Sequence, residues 1–143
     1  LKGHQKTLFL GNLYSRRDWG HAKDFVEAQW KILQQNKPDD FVIATGKNYS
    51  VKDLVNLVLK KLRIRYSWKK DSKGLEYAVS LSNLEHIKKS QIIVKQDKSY
   101  FRPNEVHDLV GDYSKAKKNL KWKPKVSFED LINEMIESEI KNY

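Results

Sequence analysis

The stretch from Leu8 to Gly20 constrains the fold most, because a strand pattern, a turn and the approach to a helix follow one another there. Leu8 and Leu10 belong to an alternating apolar run that stops at Gly11 and Asn12. Glycine lets the backbone come close to a neighbouring group, and asparagine tolerates a left-handed turn. Helical spacing of apolar residues begins directly after Gly20. This order predicts an α/β fold that begins with a short strand.

Helix and strand patterns alternate along the rest of the chain. Apolar residues at helical spacing predict four helices, over residues 21–35, 50–62, 114–120 and 127–136. Ser50 and Ser127 are each followed three residues later by an aspartate, a pattern close to the capping box that starts many helices. In the first helix the residues at helical spacing are Ala22, Phe25, Val26, Ile32 and Leu33, with Trp30. Apolar and β-branched runs predict strands over residues 8–10, 41–44, 64–68 and 91–95.

The middle of the chain, residues 69–98, is its least regular part. Alternation is weak over 75–81, and a short helix is predicted over 82–90. Loops accept insertions more readily than core elements do. An insertion or a mobile loop would therefore be easiest to accommodate in this region, and we place no functional site there.

The run Phe41–Ala44 is apolar without interruption, which is typical of a strand covered on both faces. The other strands of such a sheet would lie outside this chain. We therefore expect the 143-residue chain alone to expose apolar surface and to be poorly stable or prone to aggregate.

Length and composition favour one domain that spans residues 1–143 and is large enough to bury a core. The chain has no cysteine, which excludes disulfides and thiolate metal sites. No apolar run is long enough to span a membrane, and no leader pattern opens the sequence, so we expect a cytoplasmic protein. The first residue is leucine rather than methionine, which indicates a piece of a longer chain.

The chain is basic, with 28 lysines and arginines against 18 aspartates and glutamates. Such a charge attracts phosphate in a nucleotide, a nucleic acid or an anionic membrane. Most of the excess is lysine spread along the sequence, which is also typical of an ordinary solvated surface. A basic nucleic-acid-binding module stays open as an alternative, since the sixteen aromatic residues offer rings on which bases stack.

Known catalytic motifs are missing from the sequence. The four histidines are scattered without metal-ligand spacing, which predicts no metal site. The six glycines are isolated, so neither the dinucleotide-binding nor the P-loop fingerprint is present. No serine lies in a nucleophile elbow, and we assign no catalytic residue.

Two arginines are the candidate binding residues. Arg17 offers a planar, permanently charged fork that suits phosphate, although a solvated surface arginine is equally compatible with the pattern. Pro103 favours an extended backbone at Arg102, which holds its guanidinium away from the main chain. Glu105, three residues later, has two oxygens that can accept from neighbouring ribose hydroxyls. An ordinary Arg102–Glu105 ion pair at a turn is the alternative.

Five segments together resemble successive motifs of the GDP-mannose 4,6-dehydratases, which are extended short-chain dehydrogenases. They keep the family's order and approximate spacing over nearly the whole chain. The segments are Gly11-Asn12-Leu13, Arg17–Ala28, Phe41–Gly46, Tyr100–Val106 and Leu120–Pro124. Tyr14 departs from the family pattern, which commonly has an acidic residue there, and Lys121 stands where glycine is usual.

The resemblance implies the C-terminal, substrate-binding portion of a Rossmann-type enzyme, with a small mixed sheet and flanking helices. Its substrate would be GDP-mannose, converted to GDP-4-keto-6-deoxymannose with NADP as cofactor, on the way to GDP-fucose. Arg17 matches the arginine beside the diphosphate, Arg102 and Glu105 match the pair that holds diphosphate and ribose, and Gly11 and Asn12 match the turn against the nucleotide. The complete enzyme would be a homo-oligomer.

The resemblance also places the NADP site and the catalytic residues upstream of Leu1, in an N-terminal half absent from this chain. We therefore expect no dehydratase activity from the 143 residues alone. Tyr66 with Lys70 and Tyr113 with Lys117 have the Tyr-x-x-x-Lys spacing of the family's catalytic pair, but neither lies at the family's position. The substrate portion of a related nucleotide-sugar epimerase or reductase stays open as a second alternative.

Overall fold

A computed structural model describes residues 5–141 and contains helices and strands in alternation. The elements are β1 (Leu8–Leu10), β2 (Arg16–Arg17), α1 (Ala22–Leu33), β3 (Tyr49–Ser50), α2 (Val51–Lys61), β4 (Tyr66–Lys70), β5 (Glu76–Ser80), β6 (Ile92–Gln96), a 3-10 helix (Lys98–Tyr100), α3 (Ser114–Asn119) and α4 (Phe128–Lys141). They form two compact units. The sheet unit comprises residues 5–15 and Val51–Glu105, and the helical unit comprises Arg16–Ser50 and residues 106–141.

The sheet unit contains a four-stranded mixed sheet in the order β1-β6-β5-β4. Strand β1 runs parallel to β6, with Leu8 beside Val94, whereas the other two pairings are antiparallel. Helix α2 and the sheet bury a shared core of aliphatic side chains: Val55, Leu59, Ile64, Ala78, Ile87, Ile93 and Val94. This arrangement is the small mixed sheet with a flanking helix that the sequence predicts.

Both ends of α2 are satisfied by backbone hydrogen bonds. The amides of Val51 and Lys52 donate to the carbonyls of Ser15 and Leu13, so residues just after β1 support the start of the helix. At the other end, the amide of Ile64 donates to Leu59 O across a residue with positive φ. This closure satisfies carbonyls that a helix end otherwise exposes.

The helical unit packs α1 and α3 around Trp122, whose side chain is 1% exposed. Ala28, Ala116 and Leu120 complete the buried cluster. The indole Nε1 of Trp122 donates to Asp24 O at 2.9 Å, which satisfies its polar atom inside the core. Strands β2 and β3 form a separate antiparallel ribbon in this unit.

Most predicted elements are confirmed. The first, second and last helices begin within a residue of their predicted starts, and Ser127 Oγ accepts from the Asp130 amide at 3.1 Å as a cap. The strands over 8–10 and 91–95 are observed as β1 and β6, and the strand predicted over 64–68 is displaced by two residues to become β4.

Two expectations are wrong. Residues 69–98 are no insertion, because they supply β5 and β6 at the centre of the sheet. The segment 82–90 forms turns and a bridge between Leu84 and Ile87 instead of a helix. Phe41–Ala44 pairs with no strand of the described chain and Val42 is 54% exposed, so a sheet with its other strands outside this chain stays a prediction. On α1, Val26 and Leu33 face solvent, because Ala28 and Phe25 take the face that packs on Trp122.

No helix within residues 5–141 combines the length and the apolar content that crossing a bilayer requires. The division into two units concerns packing within the chain. That residues 1–143 act as one substrate-binding domain, beside an N-terminal part, stays a prediction.

Candidate nucleotide-sugar site

Gly11 brings two of the predicted binding segments together within the sheet unit. A Cβ atom built on Gly11 would lie 2.4 Å from Tyr100 O and 2.9 Å from Tyr100 C, both backbone atoms. Only glycine permits so close an approach. The turn at Gly11 and Asn12 therefore contacts the residue that precedes Phe101 and Arg102, which places the first binding motif beside the second.

Polar side chains hold the turn in place. Asn12 Oδ1 accepts from the Tyr14 amide at 2.9 Å, and Gln96 Nε2 donates to Gly11 O at 3.2 Å. Asn12 is not among the described residues with positive φ, so its role is to cap the turn through its side chain rather than to adopt a left-handed backbone. The buried Gln96 ties the turn to the sheet, since its Oε1 accepts from the Glu76 amide at 2.8 Å.

Arg102 and Glu105 lie in the loop that follows the 3-10 helix. Asp97 caps this helix, since its carboxylate accepts from the amide and the hydroxyl of Ser99. These hydrogen bonds hold the pKa of Asp97 below its ordinary value. Arg102 is exposed and Glu105 is half-buried. The loop thus presents one cation to solvent directly after a capped turn.

The two neighbouring arginines of β2 have different environments. Arg16 binds Asn48 through two hydrogen bonds of 3.0 Å, to its side-chain oxygen and to its carbonyl. Arg17 Nη1 donates to Arg16 O at 2.7 Å and to Val106 O at 2.6 Å. Arg16 therefore braces the β2–β3 ribbon, whereas main-chain carbonyls fix the orientation of the Arg17 guanidinium.

The sequence does not predict a cluster of three polar side chains in the sheet unit, those of Tyr14, Lys52 and Glu76. Lys52 Nζ lies 2.6 Å from Glu76 Oε2, and the Tyr14 hydroxyl donates to Glu76 Oε1 at 2.7 Å. Lys52 Nζ also lies 4.7 Å from the centroid of the Trp68 ring, within cation–π range. Glu76 thus supplies an acidic group beside Tyr14, where the family pattern commonly has an acidic residue.

Burial and hydrogen bonding act in opposite directions on this cluster. Burial raises the pKa of the Glu76 carboxyl, but hydrogen bonds from Lys52 and Tyr14 outweigh it, so the pKa lies below 4.5. Burial lowers the pKa of Lys52, but the hydrogen bonds and charge interactions with Glu76 and Tyr14 together outweigh burial, so the pKa lies above 10.5. Both groups are charged at neutral pH. No sequence pattern indicates this pairing, because Glu76 lies in the least regular part of the chain.

The described residues contain no group of three or more histidines and carboxylates suited to a metal ion. His21 caps α1 through Nδ1, which accepts from the Lys23 amide at 3.0 Å, and its Nε2 lies 3.1 Å from Glu134. Tyr66 lies on β4 and donates to Asn56 at 2.8 Å, and burial raises its pKa. Such a tyrosine is less readily ionised than one in solution.

Comparison with known proteins gives a direct match. The model of the GDP-mannose 4,6 dehydratase family matches residues 1–135. This chain belongs to the GDP-mannose 4,6-dehydratase family. It is 44% identical over 142 residues to a GDP-mannose 4,6-dehydratase of Vibrio cholerae serotype O1, covering 97% of the chain and 38% of that relative. A Dictyostelium discoideum relative is 43% identical, with coverages of 96% and 37%. The chain thus spans well under half of the curated relatives it matches.

Solved structures confirm the fold of this family member. RMD from Pseudomonas aeruginosa, complexed with NADPH, superimposes with a TM-score of 0.69 at 13% identity, over 96% of this chain and 37% of that one. A dTDP-glucose 4,6-dehydratase from Bacillus anthracis, in complex with NAD, gives a TM-score of 0.67 at 19% identity, over 96% and 35%. The fold is the α/β fold of the C-terminal part of an extended short-chain dehydrogenase.

Each predicted site residue now has a position. Gly11, Asn12, Arg102 and Glu105 belong to the sheet unit, where Gly11 joins their two segments. Arg17 belongs to the helical unit and is held against Val106. Their roles in binding stay predictions.

Proposed function

We propose that this chain is the C-terminal, substrate-binding portion of a GDP-mannose 4,6-dehydratase and that it binds GDP-mannose. Membership of the family supports the substrate class. The close approach of Gly11 to Tyr100 is the structural observation that carries the proposal, because it joins two motifs that the sequence assigns to nucleotide binding. Within this proposal Arg17 and Arg102 are each candidate ligands of the diphosphate.

The chemistry of the side chains suits each role. A guanidinium offers paired donors to phosphate oxygens, and a held guanidinium loses less freedom on binding than a mobile one. Arg17 is held by two carbonyls. Glu105 is half-buried at the end of the Arg102 loop, and its carboxylate would accept from the ribose hydroxyls.

The complete enzyme requires parts that this chain does not supply. NADP would take up hydride from the sugar and return it, but the described residues do not fit a dinucleotide, since all the glycines are isolated. We therefore assign NADP and the catalytic residues to an N-terminal portion, and we expect the 143 residues alone to be inactive. The complete protein would be a cytoplasmic homo-oligomer.

The outer face of α1 is a candidate surface for that N-terminal portion. Val26, Trp30 and Leu33 follow one another at helical spacing and are 61%, 61% and 80% exposed. Val42 adds a fourth exposed apolar side chain in the same unit. Burial of such side chains removes apolar area from water and favours association.

The proposal is tested by titrating the chain with GDP-mannose, GDP, UDP-glucose, a dTDP-sugar and a single-stranded oligonucleotide, each at two salt concentrations. We expect GDP-mannose and GDP to bind more tightly than the other nucleotides, and Arg102→Ala to weaken both by about tenfold. Lys69→Ala, which removes an exposed cation outside the proposed site, is the matched control.

Two outcomes would contradict the proposal. Equal binding of GDP-, UDP- and dTDP-sugars would favour the substrate portion of a related epimerase or reductase. Dominant oligonucleotide binding that falls steeply with salt would favour a nucleic-acid-binding module. The ring contacts oppose the latter, because Trp19 and Tyr49 each stack on Phe128, and Tyr113 and Phe25 pack on Trp122.

A further inference from the structure

Asp18 connects three segments of the helical unit through one carboxylate. Its Oδ1 accepts from Thr45 N at 2.8 Å and from Thr45 Oγ1 at 2.5 Å, and its Oδ2 accepts from Gly46 N at 2.9 Å and Gly111 N at 3.3 Å. Four donors use the full accepting capacity of a carboxylate, which has about four lone-pair sites. Asp18 directly follows Arg17 in the chain.

The segments that Asp18 connects flank Arg17. Arg17 pairs with Tyr49 in the β2–β3 ribbon, so Gly46 lies three residues before its strand partner. The segment 106–111 is attached at its first end to β2, since Val106 O accepts from Arg17 Nη1 and His107 O from the Arg16 amide. Asp18 attaches the other end of the same segment, at Gly111.

Glycines let these segments approach closely enough for one carboxylate to reach them. A Cβ on Gly111 would lie 2.3 Å from the Ala44 Cβ, which a real side chain cannot do. Gly46 has φ of +75°, in the left-handed region that favours glycine. The loops around Arg17 thus have a shape that is set by backbone fit as well as by Asp18.

We propose that Asp18 is a positioning residue for the nucleotide-sugar site, which fixes segment 106–111 and thereby the direction of the Arg17 guanidinium. This inference rests on the proposed function of Arg17. Val106 O is one of two carbonyls that orient the Arg17 fork, so a shift of this segment would misdirect the donors. Charge-assisted hydrogen bonds to phosphate depend on such alignment.

Asp24 provides a matched control in the same unit. Its carboxylate also accepts from two backbone amides, those of Lys125 at 2.8 Å and Val126 at 2.9 Å, and the residue is 4% exposed. It holds the segment before α4 and has no hydrogen bond to the segments at 45–46 or 106–111. A purely structural role would make Asp18→Asn and Asp24→Asn behave alike.

The test combines amide hydrogen exchange with GDP titration on the 143-residue chain and on Asp18→Asn, Asp24→Asn, Thr45→Val and Thr45→Ser. We expect Asp18→Asn to lose protection at the amides of Arg16 and Gly111 and to bind GDP about tenfold more weakly. Asp24→Asn should lose protection at 125–126 and keep its GDP affinity within about twofold. Thr45→Val, which removes one donor to Asp18, should show a smaller loss of amide protection and of GDP affinity than Asp18→Asn. Thr45→Ser keeps the hydroxyl and should have the protection and affinity of the parent chain.

The outcomes separate the two proposals. If the parent chain binds GDP and Asp18→Asn binds equally well, the positioning role is overturned while the proposed function stands. If the parent chain does not bind GDP, the proposed function fails in this chain, and hydrogen exchange decides the role of Asp18. Unchanged protection at Arg16 and Gly111 in Asp18→Asn would overturn the positioning role. Should Asp18→Asn fail to fold, the Thr45 pair gives the same comparison.

Discussion

The two units hold carboxylates in different ways. In the sheet unit Glu76 is held by two side chains, the ammonium of Lys52 and the hydroxyl of Tyr14. In the helical unit Asp18 and Asp24 are held mainly by backbone amides. A side-chain ion pair joins one helix to one strand, whereas an amide-bound carboxylate ties loops to each other. The contrast suits their surroundings, since Asp18 connects the loops beside the β2–β3 ribbon, whereas Glu76 lies on a strand of the four-stranded sheet.

The two units also differ in how they cover their hydrophobic cores. The sheet unit covers its core with α2 and four strands, and its central strands bury Ala78, Ile93 and Val94. The helical unit relies on one large side chain, Trp122, and leaves the apolar residues Val26 and Leu33 of α1 exposed. Four substitutions, from the largest expected effect to the smallest, test this contrast.

Trp122→Ala should destabilise the helical unit by about 4 kcal/mol, because truncating a buried tryptophan leaves a cavity and removes its packing. The indole is 1% exposed and its Nε1 donates to Asp24 O. Chemical denaturation, with hydrogen exchange in α1 and α3, measures the loss. Trp30→Ala is the control, since Trp30 is 61% exposed and should cost under about 1 kcal/mol. Similar losses for both tryptophans would contradict a core built around Trp122.

Glu76→Gln should destabilise the sheet unit by about 2 kcal/mol, because it leaves the Lys52 ammonium without its carboxylate partner in a partly buried position. Glu85→Gln, at a position whose side chain is 88% exposed, is the matched control and should have little effect. Urea denaturation monitored at neutral pH compares the two variants.

The ion pair between Lys52 and Glu76 also predicts that the free energy of unfolding depends on pH. The folded-state pKa of Glu76 lies below 4.5, so its stabilising contribution is present above about pH 4.5 and is lost as pH falls through the lowered pKa. The Lys52 pKa lies above 10.5, so its contribution is lost only as pH rises through that raised value. The free energy of unfolding should therefore fall more steeply below pH 4.5 in the parent chain than in Glu76→Gln. Parallel acid profiles would show that the pair contributes nothing.

Gly11→Ala should cost about 1–3 kcal/mol, because the added Cβ forces the backbone at Tyr100 to move. The same movement separates the two binding segments, so GDP affinity should fall beyond what the lost stability explains. Gly74→Asn is the control, since a Cβ at Gly74 meets nothing within 4 Å and asparagine tolerates its φ of +76°. Thermal denaturation and GDP titration measure the two effects. Unchanged affinity in a folded Gly11→Ala chain would argue against a shared site.

Val26→Lys combined with Leu33→Lys should change the stability of the chain by less than about 0.5 kcal/mol, since both side chains already face solvent. The substitution should nevertheless reduce self-association of the isolated chain, because it interrupts the exposed apolar face of α1. Light scattering against concentration measures this. Glu139→Lys, at an exposed position elsewhere on the unit, makes the same +2 change of net charge as a control, and equal aggregation of all three proteins would show that this face is not responsible.

The local part of the structure was predictable from the sequence, and the long-range part was not. Periodicity indicated α1 and α4, and Ser127 with Asp130 indicated where α4 begins. Nothing local shows that Glu76 meets Lys52, because the pairing depends on how β5 packs beside α2. Strand β5 was hard to recognise because lysines surround its short apolar alternation.

In the candidate site, too, local features are readable from the sequence and long-range contacts are not. Gly11 was recognised as a point of close approach, but its partner Tyr100 lies far along the chain and emerged only from the fold. Asp18 lies in the segment Arg17–Ala28, but its role is not readable from the sequence, since three of its four donors are backbone amides that nearly any residue carries. Phe41–Ala44 is apolar without interruption and yet Val42 is 54% exposed, as expected of a run whose covering strands lie outside this chain.

The most direct test is an NMR titration that follows the side-chain Nε–Hε signals of Arg17 and Arg102 as GDP-mannose is added to the chain. If both guanidinium groups bind one diphosphate, the two signals should shift together with a single dissociation constant, and guanosine, which lacks phosphate, should move neither. A shift at one arginine alone, or separate dissociation constants for the two, would contradict a shared nucleotide-sugar site.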